Sequence, residues 1–139
     1  MCKFEINEFE AVQGKQKFFD LKIDGLSQYN EFKEIIERDY QSMKTEMLTM
    51  FSYMNLVSNL HTLPRTKFNE ITPQKETIKE YELKSKHLRI YFFHYENTGK
   101  IITVWGFKNN QKEDILKFRR IKKEFIQNYK NETRRITKK

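Results

Sequence analysis

Two apolar segments joined by a short glycine-containing turn restrict the fold of this chain most strongly. The segments are LRIYFFHY, Leu88 to Tyr95, and KIITVWGF, Lys100 to Phe107, and Asn97-Thr98-Gly99 lies between them. β-Branched and aromatic residues favour strands, and a glycine in a short loop supplies the positive φ that tight hairpins need. The pattern therefore predicts an antiparallel β-hairpin.

Two further segments are predicted to be strands of the same sheet. KFFDLKID, Lys17 to Asp24, is rich in apolar residues and ends at Gly25, and YELK, Tyr81 to Lys84, alternates apolar and polar side chains. The segment from Leu63 to Pro73 contains both prolines of the chain and is predicted to be a loop. The sequence thus predicts an N-terminal strand followed later by a three-stranded antiparallel meander.

Helical periodicity marks two other regions of the chain. Residues 28 to 61 contain neither Gly nor Pro and carry apolar residues at helical spacing, which predicts two helices that part near Asp39 to Ser42, or else one long helix. The period returns from Lys112 to about Tyr129. The element order predicts a small α+β domain with helices on one face of the sheet and the other face partly open.

Four of the five methionines fall on roughly one face of the first helical region. They are Met43, Met47, Met50 and Met54. Packing in the core is the favoured interpretation, because methionine fills irregular gaps between helices. A groove that accepts a partner's helix is the alternative.

Length and composition fit a single soluble domain spanning residues 1–139. Hydrophobic residues make up 37% of the chain and aromatics 14%, which is too much apolar surface for a disordered protein. Cys2 is the only cysteine, so no disulfide framework can form. Residues 1 to 10 contain no apolar run of the kind found in signal peptides, and no segment approaches the ~20 apolar residues of a membrane helix. We therefore expect a cytoplasmic protein without membrane association.

The excess positive charge is concentrated at the C-terminal end. Residues 112 to 139 carry eleven Lys and Arg against four acidic residues, whereas the first 111 residues carry sixteen against fifteen. Most of the net charge of +8 therefore lies in the last fifth of the chain. Such a basic patch is typical of a protein with a polyanionic partner, although a solvated helix face followed by a flexible basic tail, at about residues 131–139, gives the same pattern.

Five motifs follow one another in the second half of the chain: YELK (Tyr81 to Lys84), LRIYFF (Leu88 to Phe93), GKIITVWGF (Gly99 to Phe107), KNNQKED (Lys108 to Asp114) and FRRIKKEF in the last helix. In this order they resemble the RelE/HigB toxin superfamily, in particular its phage Gp49-like branch. Trp105 stands where the branch often has His, and Glu113-Asp114 replaces the usual Thr-Pro before the last helix.

This resemblance implies the toxin of a type II toxin–antitoxin system. Such a protein is a ribosome-dependent, metal-independent mRNA endonuclease without a cofactor, and an antitoxin, expected to be of the helix-turn-helix type, silences it. The ParE-like toxins share the fold and inhibit gyrase without chemistry, so they form one alternative. A basic RNA-binding domain without activity is the other.

Cleavage of RNA by its own 2′-OH requires side chains that move protons and stabilise charge on the phosphate. Arg89 is the first candidate, since alternation places it in mid-strand beside Tyr91, on the face expected to be open, where its guanidinium can hold two phosphate oxygens. Lys86 and His87 precede that strand, and lysine neighbours make His87 a suitable base. The candidate catalytic residues are Arg89, Lys86, His87 and Tyr91.

Further basic residues are candidates for binding RNA or the ribosome. They are Lys84, Lys108, Lys112, Arg119, Arg120 and Lys123. Tyr91 and Trp105 can stack on bases, although core packing is favoured for Trp105. His94 is expected to face away from Arg89 and to be structural. The three histidines and Cys2 lack the spacing of a metal site, and no phosphate-binding glycine loop is present.

Overall fold

The computed structural model describes the backbone of residues 2–137 and the side chains of residues 2–128. The predicted flexible tail at about residues 131–139 therefore lies outside the described side chains and stays a prediction. Short 3-10 turns occupy Gln41–Met43 and Lys108–Asn110. The regular elements are β1 (Phe4–Glu8), β2 (Phe18–Ile23), β3 (Leu26–Ser27), α1 (Gln28–Asp39), α2 (Lys44–Ser58), β4 (Phe68–Glu70), β5 (Glu80–Lys84), β6 (Leu88–Tyr95), β7 (Gly99–Phe107) and α3 (Gln111–Thr137).

The strands form one mixed seven-stranded sheet in the order β1-β2-β7-β6-β5-β4, with β3 paired to β2. The predicted hairpin is confirmed: β6 and β7 are antiparallel from Leu88↔Phe107 to Tyr95↔Gly99. A bulge between Tyr91 and Phe92 leaves one extra residue on β7. β2 runs parallel to the start of β7, so the N-terminal strand and the hairpin share one sheet, as the sequence predicts.

The turn of the hairpin places its glycine beside another part of the backbone. Gly99 has a φ of +149°, and a Cβ added there would lie 2.5 Å from the carbonyl oxygen of Lys17. The amide of Lys100 donates to that same carbonyl at 2.9 Å, which begins the pairing of β2 with β7. A side chain at position 99 would therefore separate the two strands, and this explains the glycine better than turn conformation alone.

Helices α1 and α2 cover one face of the sheet. Ser27 caps α1 by accepting from the amide of Asn30, and α1 ends at Asp39, followed by the C-cap residue Tyr40 with a φ of −138°. The prediction of two helices is thus confirmed, and the single long helix is wrong. Met47, Met50 and Met54 are buried against the sheet, so core packing accounts for the methionine face.

Helix α3 covers the opposite face, so the prediction of a partly open sheet is wrong. Its apolar stripe, Phe118, Ile121 and Phe125, packs on Tyr91 and Phe93 of β6. The physical reason is visible in β6 itself: LRIYFF is an almost continuous apolar run, which is typical of a strand buried on both faces. The predicted alternation of the side chains is correct, but both sets are buried.

An ion triad around the buried Glu80 attaches α3 to the start of β5. Glu80, only 2% exposed, accepts from Arg119 Nε at 3.0 Å and from Lys122 Nζ at 2.8 Å. Arg119 also donates to the carbonyl of Ile71, and Lys122 to that of Ile78. Two cations share one carboxylate, so the triad keeps one net positive charge beneath the helix.

The sequence does not predict three short strands, β1, β3 and β4. β1 and β3 pair with β2, and β4 lies within the segment predicted to be a loop. Phe68 of β4 pairs with Leu83, and its ring stacks on Tyr81 with the centroids 5.3 Å apart. Strands of two to five residues carry too little periodicity to be recognised, and only pairing with a neighbour orders them.

Within residues 2–137, no helix is both long enough and apolar enough to cross a membrane.

The α3 face gives a direct test of this packing. Phe118 is fully buried, so Phe118→Ala should lower the free energy of unfolding by about 3–5 kcal/mol. Leu116, two residues away on the same helix, is 65% exposed, so Leu116→Ala should change the free energy of unfolding by less than about 0.5 kcal/mol. Urea denaturation measures both. Equal effects of the two substitutions would contradict the docking of α3.

Candidate functional site

A small open pocket forms where β6 begins and β7 ends. Because the strands are antiparallel, Leu88 and Phe107 lie opposite each other, and the amide of Lys108 donates to the carbonyl of His87 at 2.8 Å. The pocket has a volume of about 260 Å³. It is lined by Tyr40, Met43, His87, Phe107, Lys108, Asn109 and Asn110. We call it the His87–Lys108 pocket.

Glu46 of α2 organises the β5–β6 turn beside this pocket. Its Oε2 accepts from the amides of His87 (2.8 Å) and Leu88 (2.9 Å) and from the hydroxyl of Ser85. Its Oε1 lies 2.9 Å from Nδ1 of His87. Burial alone would raise the pKa of Glu46, but the hydrogen bonds from Ser85 and His87 outweigh it, so the pKa lies below its ordinary value. Glu46 is therefore an ionised carboxylate near neutral pH.

The carboxylate also fixes how His87 can act. An ionised Glu46 only accepts hydrogen bonds, so Nδ1 of His87 is the donor in the contact between them. In the neutral imidazole the lone pair then lies on Nε2. His87 is exposed, so this nitrogen can accept a proton from a ligand. A carboxylate that orients a histidine in this way is a common arrangement for general base catalysis.

Arg89 lies beneath the same turn and not on an open surface. It is 7% exposed, and its NH1 donates to the carbonyls of Ser85 (2.6 Å) and Leu88 (2.8 Å). Among the described residues its Nε has no hydrogen-bond partner. The expectation that Arg89 faces solvent is wrong because α3 covers this face of β6. Its guanidinium instead supports the segment that carries His87.

The aromatic residues at the pocket differ from those that the sequence suggested. Tyr91 is fully buried against Phe118, and burial followed by the charge of Glu82 raises the pKa of its hydroxyl. Trp105 lies in the core beneath α1, as favoured. The rings of Tyr40 and Phe107, with centroids 4.7 Å apart, stand at the pocket instead. Nothing in the local sequence of Tyr40 signals this position.

The predicted basic residues divide into two groups. Lys86, Lys108 and Lys112 are exposed and close in sequence to the pocket, and Lys84, partly buried, lies 4.0 Å from Glu82. Arg119 binds Glu80 at the opposite end of β5, so it does not join them. Arg120 and Lys123 are exposed farther along α3. Of the predicted basic residues, Lys108 lines the pocket together with His87, whereas Arg119 lies at the other end of β5.

His94 and Lys100 face each other at the other end of the hairpin. Nζ of Lys100 lies 3.4 Å from Nδ1 of His94 and 5.3 Å from the centroid of the Tyr81 ring. Burial, and secondarily the charge of Lys100, lowers the pKa of His94, and burial lowers that of Lys100. His94 thus lies at the opposite end of β6 from Arg89 and from the His87–Lys108 pocket.

No protein-family model, curated protein or solved structure matches this chain. Among the residues that the structure describes, no group of three or more His, Cys, Asp and Glu side chains is placed to hold a metal ion. The interpretation of the pocket therefore depends on its own geometry and charge.

The hydrogen bonds of Glu46 predict a pH-dependent contribution to stability. A folded pKa below the ordinary value of 4.5 means that the carboxylate stabilises the fold above that pH. The contribution disappears as the pH falls through the folded pKa. Glu46→Gln should therefore lower the free energy of unfolding near neutral pH, and the difference from wild type should shrink below about pH 4.5.

Urea denaturation at several pH values measures this difference. Glu34→Gln is the matched control, because Glu34 is exposed on α1. A difference between wild type and Glu46→Gln that is independent of pH would show that the carboxylate charge does not hold the turn.

Proposed function

We propose that the protein is an endoribonuclease that cleaves RNA at the His87–Lys108 pocket. The observation that carries this proposal is the Glu46–His87 contact at 2.9 Å, at the edge of an open pocket that also contains Lys108. The pocket thus combines an oriented base, a cation and two aromatic rings. These groups match the 2′-OH, the phosphate and the bases of RNA.

Each step of the reaction has a candidate group in the pocket. Nε2 of His87 accepts the proton of the 2′-OH, whose oxygen then attacks the adjacent phosphorus. The phosphate gains negative charge in the transition state, and the Nζ of Lys108 stabilises it. The bond from phosphorus to the 5′-oxygen breaks, and the leaving oxygen takes a proton from water or from protonated His87. The products are a 2′,3′-cyclic phosphate and a 5′-hydroxyl.

The other candidate residues act around this centre. In this proposal the candidate residues Lys84, Lys86 and Lys112 bind phosphates next to the one that is cleaved. Arg89 is a positioning residue, because its hydrogen bonds to Ser85 and Leu88 bracket His87. Tyr91 lies in the core between β6 and α3. Tyr40 and Phe107 offer ring surfaces to the bases.

The resemblance to the RelE/HigB toxins gives this activity a cellular setting. In the proposal the substrate is mRNA on the ribosome in the cytoplasm, and an antitoxin of the helix-turn-helix type holds the enzyme inactive. The support is the order of the motifs from Tyr81 to Phe125, together with the basic C-terminal helix. An N-terminal strand, a helical pair, an antiparallel meander and a last helix occur in this chain in the expected order.

Cleavage by the purified protein tests the chemistry. Incubated with translating ribosomes, the wild type should cut the mRNA and leave cyclic phosphate ends. His87→Ala and Lys108→Ala should each lower the rate by about 10²–10³-fold. Lys15→Ala is the control, since Lys15 is exposed and outside the pocket. Wild-type protein that leaves mRNA intact but inhibits gyrase supercoiling would identify a ParE-like inhibitor instead.

Expression of this protein in cells that lack the antitoxin tests the role of Arg89, with growth arrest as the measurement. Arg89→Ala should abolish the arrest. Arg89→Lys should retain part of it, because a lysine can replace only some of the hydrogen bonds that the guanidinium donates to the carbonyls of Ser85 and Leu88. The amide resonances of residues 85 to 88 should shift in Arg89→Ala while the rest of the spectrum is retained. Full toxicity of Arg89→Ala at equal expression would remove this residue from the site.

A further inference from the structure

Two basic side chains contact each other at the end of the hairpin that lies away from the His87–Lys108 pocket. His94 of β6 and Lys100 of β7 are directly opposite in the antiparallel register, so their side chains lie on the same face of the sheet. Nζ of Lys100 lies 3.4 Å from Nδ1 of His94. Each side chain can bind a proton, so the contact depends on how many protons the pair holds.

Lys100 is buried without a carboxylate partner. It is 6% exposed, and its Nζ lies 5.3 Å from the centroid of the Tyr81 ring, which stacks on Phe68 and Phe92. It forms no ion pair with any side chain of residues 2–128. A buried ammonium group is costly unless it donates hydrogen bonds. The imidazole of His94 therefore supplies an acceptor that this lysine needs.

The hydrogen bond between the two side chains requires a neutral imidazole. An ammonium group has three donors and no acceptor, so Nζ of Lys100 donates and Nδ1 of His94 accepts. The proton of the neutral ring is then on Nε2. A second proton on the ring would occupy Nδ1 and turn the acceptor into a donor. Two positive groups would then face each other across 3.4 Å without a hydrogen bond between them.

The surrounding charges do not compensate a second proton on the pair. Burial and then the charge of Lys100 lower the pKa of His94, and the exposed Glu96 in the turn offsets them only in part. The other titratable side chains on the neighbouring strands are uncharged near neutral pH or already paired, and they are Tyr81, Glu70 with Lys79 (3.3 Å), Glu8 with Lys17 (3.8 Å), and Glu80 with Arg119 and Lys122 on the other face of the sheet.

The backbone of the same two residues holds neighbouring strands together. The amide of Lys100 donates to the carbonyl of Lys17 at 2.9 Å, where the pairing of β2 with β7 begins. The amide of His94 donates to the carbonyl of Lys79 at 2.9 Å, just before β5. Repulsion between the side chains therefore acts at a point where three strands meet. The adjoining turn is largely exposed, so this end of the sheet can open without unfolding the rest.

We propose that the His94–Lys100 contact is an acid-sensitive switch, in which protonation of His94 breaks the contact and loosens the pairing of β2 with β7. Neither residue lines the His87–Lys108 pocket, so this property is independent of RNA cleavage. A protein without nuclease activity would respond to acid in the same way.

The pH range of the switch follows from the direction of the pKa shift. The pKa of His94 in the folded protein lies below the ordinary value of 6.5. As the pH falls below 6.5, the unfolded chain therefore binds a proton that the folded chain does not bind. The contribution of the contact to stability is complete above this pH. It decreases as the pH falls from 6.5 to the folded pKa and then stays constant.

Hydrogen exchange of the Lys100 amide, compared between wild type and His94→Gln at equal pH, measures the loosening. The glutamine still offers an acceptor to Nζ but does not titrate. The ratio of the wild-type rate to the variant rate should rise about three- to tenfold between about pH 7.5 and about pH 5.5, since one pH unit of unequal protonation is worth at most about tenfold. His61→Gln is the control, because His61 is exposed, and it should keep the acid response of the wild type.

Lys100→Met removes the charge and keeps an unbranched side chain in its place. The ring protons of His94, followed by NMR, should titrate at a higher pH in this variant than in the wild type, because the repulsion from Lys100 is gone. The acid response of the Lys100→Met variant should be smaller for the same reason.

Two results would overturn the inference. One is an exchange ratio between wild type and His94→Gln that stays the same from about pH 7.5 to about pH 5.5. The other is a ring of His94 that titrates at the same pH in the wild type and in Lys100→Met. The first result needs only wild type and His94→Gln, so it decides the question even where Lys100→Met does not fold.

Discussion

Burial of β6 on both faces is the constraint on which the rest of the structure depends. Phe92 contributes to the core beneath α1 and α2, while Phe93 contributes to the core beneath α3. Removal of either helical layer would expose one face of β6 to water. The ends of the β6–β7 hairpin are therefore held in place from two sides, and the turns beyond those ends start from a fixed base.

Glu46 links this scaffold to the candidate site. It lies on α2, yet it binds Ser85, His87 and the amide of Leu88, residues about forty positions later in the chain. The neighbouring amides of His87 and Leu88 point toward the same position and need a hydrogen-bond acceptor there. The ionised carboxylate of Glu46 is a stronger acceptor than a neutral group would be. The same contact that satisfies the turn also orients the imidazole. Stability and the proposed chemistry thus depend on one side chain.

The sequence predicts the hairpin, the helical pair and the last helix because each has a long and regular pattern. It does not predict the position of α3, because an amphipathic helix has the same period on either face of a sheet. That ambiguity led to the wrong expectation of an open surface at Arg89. Glu46 and Tyr40 could not be found in the sequence either, since each reaches the pocket only through tertiary packing.

Charge is distributed over the surface by the same packing. The C-terminal basic residues form one block along the sequence, but the helix points some of them toward the sheet and others toward solvent. Arg119 and Lys122 turn toward Glu80 and become part of the fold, whereas Lys123 faces solvent beside an apolar floor. Lys108, before the helix, belongs to a different pocket with different neighbours. Basic residues that are close in sequence therefore belong to two different surfaces, and the apolar groups beside them are aromatic in one and aliphatic in the other.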